Sequence, residues 1–141
     1  VFLDAFGRDS IPRHLATLEF LQAVKRQLSD RGLVVGNVWS PRWNSLYTQM
    51  RRTYLDAFGS LCVLGVPDAG NRIFLARRDG AALSGEELAR VAAELTKKKE
   101  LPFDLAELER RGCLEESNDA EPLRDPEAAR PEPAQAQDAG R

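Results

Sequence analysis

The first residues in this chain with the chemistry to do work are two aspartates. The chain opens VFLDAFGRDSIPRHL, and Asp4 ends a three-residue apolar run, Val1 to Leu3, that reads as a buried strand. A carboxylate where a strand leaves its sheet is either a capping residue or a working group. Asp9 stands in the loop that follows, and Asp9-Ser10 ahead of a helical pattern is also a common N-terminal cap. Other reactive side chains contribute less. His14 has no partner that suggests catalysis and reads as an exposed or helix-start residue. Cys62 and Cys113 lack metal-ligand spacing and read as two reduced structural thiols, which fits a cytosolic compartment. No metal site is expected.

Elements of regular structure must hold Asp4 in place, and the hydrophobic pattern supplies them. Leu15, Leu18, Leu21, Val24 and Leu28 recur at helical spacing, and Asp30-Arg31-Gly32 supplies the stop. LVVGNV, residues 33 to 38, is a continuous apolar and β-branched run of the sort found in a sheet covered on both faces. After the Ser40-Pro41 break, Leu46, Tyr47, Met50, Tyr54 and Phe58 mark a second helix ending before Gly59, and LCVLGV, residues 61 to 66, reads as a third strand. PDAGN, residues 67 to 71, is turn chemistry, and RIFLAR returns antiparallel through it. Ser84 with Glu87, and Asp104 with Glu107, form capping boxes before two peripheral helices.

Alternating strands and helices predict an α/β fold, a mostly parallel sheet built from right-handed crossovers with an antiparallel hairpin at its C-terminal edge. Ligands of such a sheet sit in the crevice beyond the carboxyl ends of its strands. No GxGxxG-like segment follows any strand, so a phosphate-cradling loop is missing. A chain that starts with Val1 inside a strand therefore reads as the second half of a larger domain.

Charge divides the 141 residues unevenly. Residues 115 to 141 carry three Lys/Arg against eight Asp/Glu, half of the eight prolines, no aromatic and one leucine. Such a segment cannot bury enough apolar surface to offset its ordering entropy, so it reads as a disordered acidic Pro/Ala-rich tail behind a folded region, residues 1 to 114. No run approaches the roughly 20 apolar residues needed to span a bilayer. Arg51-Arg52 and Lys97-Lys98-Lys99 lack interleaved aromatics and read as solvated helix faces, which excludes a nucleic-acid stripe.

The opening VFLDAFGRDSIPRHLATLEFLQAVKRQLSDRGLVVGNV, the hairpin ending GNRIFLAR and the later LPFDL together resemble the polyamine aminopropyltransferase (spermidine synthase) family, in the C-terminal half of its catalytic domain. The resemblance covers roughly residues 1 to 110 and implies a Rossmann-like, methyltransferase-type sheet. It implies that Asp4 is the proton acceptor and diamine-binding carboxylate. A second aspartate normally follows three residues later, where this chain has Gly7, so Asp9 is the carboxylate left to bind the distal ammonium. Pro12 is similar to a loop proline that touches the nucleoside, and Asn37 and Trp39 lie where the family places a glutamine and a tryptophan beside the active site.

Expected co-substrates are decarboxylated S-adenosylmethionine, a nucleoside sulfonium, and a diamine such as putrescine, with no tightly bound cofactor, a cytoplasmic location and a homodimer left open. An isolated half-domain is expected to be inactive, because the nucleoside-binding half is absent. Two other functions share the fold: an S-adenosylmethionine-dependent methyltransferase, and a non-catalytic domain, which the missing second aspartate favours.

Overall fold

The computed structural model describes residues 1–5, 11–66, 69–105, 112–114 and 119–126. Strand β1 (Phe2–Leu3) is followed by a 3₁₀ turn (Arg13–Leu15) and helix α1 (Leu18–Gln27), whose first turn is capped by the Thr17 hydroxyl accepting from Phe20 N at 3.4 Å. Strand β2 (Leu33–Trp39) leads to helix α2 (Tyr47–Phe58). Gly59, at φ 91°, ends α2 in the left-handed conformation that glycine adopts without a Cβ penalty. Strands β3 (Cys62–Gly65) and β4 (Asn71–Arg77) form the hairpin, and helix α3 (Gly85–Lys99) starts on Ser84, whose hydroxyl accepts from Glu87 N at 3.0 Å. The second capping box, at Asp104 and Glu107, runs into residues 106–111, outside the described residues.

The four strands lie in the order β1-β2-β4-β3. β1 pairs parallel with β2, while β4 pairs antiparallel with β2 on one side and β3 on the other. This corrects the expectation that the antiparallel strand lies at the edge of the sheet. The hairpin is real, but β4 turns inward and β3 becomes the edge. The apolar middle of β4 explains the preference: Phe74, Leu75 and Ala76 are buried in succession, as a central strand requires. β1, β2 and β3 still point the same way, so their carboxyl ends share one sheet edge with the start of β4.

Helices α1 and α2 cover one face. Val34 and Val38 of β2 are buried there with Phe74 and Ala76, and the Tyr47 and Tyr54 rings meet Phe74 edge-on at 5.6 and 5.2 Å. Gly36 is buried on this face for a steric reason. A Cβ at Gly36 would sit 2.5 Å from Tyr54 Oη, so the bare backbone makes room for the phenol. The residues between them, Leu33, Val35, Asn37 and Trp39, are half-buried, so β2 is fully covered on one face rather than on both as its apolar run suggests. Helix α3 is peripheral as expected, with no buried residue.

Two further expectations are overturned. Cys62 and Cys113 form a disulfide, with Cα atoms 5.0 Å apart, rather than two reduced thiols. The bond ties the start of β3 to a segment that also runs beside it, Leu114 N donating to Val63 O at 2.8 Å. Fifty-one residues separate the two cysteines, so no local pattern announces the pairing. The second correction concerns the acidic tail. Residues 119–126 lie against the helices, and Leu123 is 1% exposed in the core. Its N–H donates to Thr53 Oγ1 at 2.9 Å and its carbonyl accepts from Leu18 N at 2.8 Å, so one leucine with both backbone groups bonded is enough to dock the strap. Residues 115–118 and 127–141 of the expected tail lie outside the described residues.

Candidate functional site

Asp4 emerges one residue beyond the last paired position of β1, where Leu3 faces Gly36, and this brings it beside Asn37. Asn37 Nδ2 donates to Asp4 Oδ1 at 3.1 Å. The other end of the same amide is also engaged: Asn71 Nδ2 donates to Asn37 Oδ1 at 2.7 Å. Asn71 is the first residue of β4 and stands opposite Trp39 in the antiparallel ladder. The loops are clamped at the same edge, since Ser40 N donates to Gly70 O at 2.7 Å and exposed Trp43 lies against Gly70. A ladder of three polar side chains thus runs across the carboxyl ends of β1 and β2 to the start of β4.

Asp4 is exposed, and its Oδ2 has no partner among the described residues. One oxygen is therefore tied and, among the described residues, the other is open to a hydrogen bond from a ligand. Beside it, between the sheet and the helices, lies a cavity of ≈ 240 Å³ whose lining takes in Asp4 and Asn37 together with Leu15, Phe20, Met50 and Tyr54. Burial pushes the Tyr54 phenol well above its ordinary range, so it stays neutral. The volume falls below the roughly 300–1,000 Å³ of drug-sized pockets, which suits a short aliphatic chain better than a whole nucleoside. An ionised carboxylate at such a cavity can attract a cation, orient it and accept a proton.

Of the residues singled out in the sequence, Asp4 and Asn37 are brought into direct contact. Trp39 is half-buried two residues further along β2 from Asn37, opposite Asn71. Pro12 is half-buried and its carbonyl accepts from Leu15 N at 2.9 Å, starting the 3₁₀ turn, while its neighbour Ile11 is the residue that reaches the cavity lining. Asp9 lies outside the described residues. His14 is exposed, as read from the sequence. Sequence reasoning missed Asn71, which looked like the last residue of a turn, and Tyr54, which looked like ordinary helix periodicity. Among the described residues no group of His, Cys, Asp and Glu is arranged to hold a metal ion, and no helix is long and apolar enough to cross a membrane.

No family model and no solved structure matches the chain. A stretch of 76 residues, 53% of the chain, is 40% identical to the polyamine aminopropyltransferase of Vibrio vulnificus (strain CMCP6). The match spans 25% of that protein's length. Over this stretch the chain is similar to a polyamine aminopropyltransferase, the family that its opening strand, loop and helix resemble.

Proposed function

We propose that the chain carries the amine-binding and proton-accepting part of an aminopropyltransferase, in the C-terminal half of its catalytic domain, acting on decarboxylated S-adenosylmethionine and a diamine such as putrescine. The observation that carries this reading is Asp4, held through one oxygen by Asn37 at the carboxyl end of β1, with its other oxygen unpaired among the described residues and beside a small, largely apolar cavity. The relationship to a polyamine aminopropyltransferase supports it, as does the strand order, in which an antiparallel strand enters between two that run in the same direction. We read that order as the end of a methyltransferase-type sheet. Cytoplasmic placement, expected partly from free thiols, rests on the substrate class alone once the cysteines are paired.

The chemistry needs such a carboxylate. Nitrogen attacks the aminopropyl carbon next to the sulfonium, the N–C bond forms, the C–S bond breaks and sulfur leaves as a neutral thioether. Only an uncharged amine has the lone pair to attack, and a diamine at neutral pH is almost wholly protonated. In this reading Asp4 Oδ2 draws the dication, holds one nitrogen and takes its proton, while the apolar wall holds the methylene chain. Holding the two reactants in line supplies several kcal/mol of the barrier.

The test is transfer of a labelled aminopropyl group to putrescine by the active protein, compared with Asp4→Asn. That variant keeps the shape and removes both the charge and the proton sink, so turnover should fall by roughly 100-fold or more. Unchanged turnover in Asp4→Asn would overturn the assignment. Calorimetric titration of the chain itself with putrescine checks the binding half of the reading, and amine binding without any transfer would favour the non-catalytic alternative.

A further inference from the structure

We infer that Asn71 is a positioning residue for the Asp4 carboxylate, acting through the Asn37 side chain. The inference rests on the proposed role of Asp4 and names a residue that the sequence pattern read only as the end of a turn. Its basis is the direction of the hydrogen bonds. An ionised carboxylate can only accept, so Asn37 must turn its NH₂ end toward Asp4. That leaves the Asn37 carbonyl oxygen facing Asn71, which must in turn donate its own NH₂. The charge on Asp4 thus sets the polarity of the whole ladder, and Asn71 keeps Asn37 from rotating its oxygen toward the carboxylate.

The geometry explains why the restraint matters. The Asn71–Asn37 bond, at 2.7 Å and partly buried, is the shorter and better shielded of the two, while the Asn37–Asp4 bond, at 3.1 Å, is exposed. Asn37 alone on a half-buried strand face could swing its terminal amide into solvent. Anchored to β4 it cannot, and Asp4 Oδ1 stays occupied so that Oδ2 is the oxygen offered to an amine. The anchor belongs to the return strand of the hairpin, so the inward placement of β4 next to β2 is what completes the site.

Three variants of the chain test this by NMR of the Asn37 side-chain amide and by titration with putrescine. Asn71→Ala should broaden or shift the Asn37 amide pair and weaken putrescine binding roughly fivefold, the size of one net hydrogen bond. Asn71→Asp is nearly isosteric and adds a negative charge. If position 71 simply faced the amine, Asn71→Asp would bind the dication more tightly. Under the positioning role it binds more weakly, because Asn37 turns its NH₂ toward the carboxylate introduced on β4 and its oxygen toward Asp4.

The double variant Asp4→Asn with Asn71→Asp reverses the ladder: the amide introduced at position 4 donates to Asn37, and Asn37 donates to the carboxylate introduced at position 71. It should restore the ordered Asn37 amide without restoring amine binding. Tighter binding by Asn71→Asp, an Asn37 amide unchanged by Asn71→Ala, or no recovery of that amide in the double variant would each overturn the inference. The amide readout needs no amine, so wild-type chain that failed to bind putrescine would sink the proposed function while the ladder was still decided.

Discussion

Replacing Leu123 by alanine is the sharpest test of how the described structure holds together. Leu123 is the apolar anchor of the strap at residues 119–126, 1% exposed and packed in the core with α1 and α2. Truncating a buried leucine removes its transfer free energy and leaves a cavity, together about 2–5 kcal/mol. The strap has no regular secondary structure and its backbone can settle inward, so the lower half of that range applies, about 2–3 kcal/mol. The bonds from Leu123 N to Thr53 and from Leu18 N to the Leu123 carbonyl involve backbone atoms and survive the substitution. The exposed Arg124–Glu19 pair adds little. For a domain of this size the loss corresponds to a fall of roughly 8–15 °C in Tm by differential scanning calorimetry. A chain truncated after Ala120 loses the leucine and its backbone bonds together and should fall at least as far. A truncation after Pro126 keeps the strap and serves as the control. If both the alanine variant and the shorter truncation melted within about 1 °C of the intact chain, docking of the strap would be refuted and the whole acidic segment would behave as its composition alone suggests.

Three further outcomes follow from the same geometry. Glu19 accepts from Asp125 N at 2.9 Å, and that bond, ahead of the Arg124 contact, holds its carboxyl below the ordinary value of 4.5. A depressed folded pKa stabilises above the unfolded value and is lost as pH falls through the folded one, so the strap should begin to loosen below about pH 4.5, seen as faster exchange of the Asp125 amide, and Glu19→Gln should remove that pH dependence. Reducing the Cys62–Cys113 bond opens a 51-residue separation and should cost up to about 4 kcal/mol in the chain-entropy account, measured as a lower denaturant midpoint in reductant; an unchanged midpoint would show that the bond does not form. Gly36→Ala should cost about 1–3 kcal/mol by pressing on Tyr54 Oη, and the cost should shrink in a Tyr54→Phe background; equal costs in both backgrounds would remove the close contact as the reason for the glycine.

What the sequence determined by itself is the local layer of this protein. The spacing of Leu18, Leu21 and Val24, the Ser84 cap and the Gly59 stop specify helices through contacts within a few residues of one another, and the structure places helices there. The apolar run ending in Asp4 marked a candidate for the same reason, since a carboxylate at a strand end is visible in three neighbouring residues. Asn37 was reached through the family resemblance rather than through any local pattern. Only the tertiary structure decided which strand lies between which, because the edges of β2 and β3 are both able to pair and the choice falls to the consecutive burial of Phe74, Leu75 and Ala76. The Cys62–Cys113 bond, the docking of Leu123 on Thr53 across 70 positions and the ladder from Asp4 to Asn71 share that origin. Each joins residues far apart in the chain, and such contacts have no periodicity to read: they exist only once the sheet and its helices have closed around them.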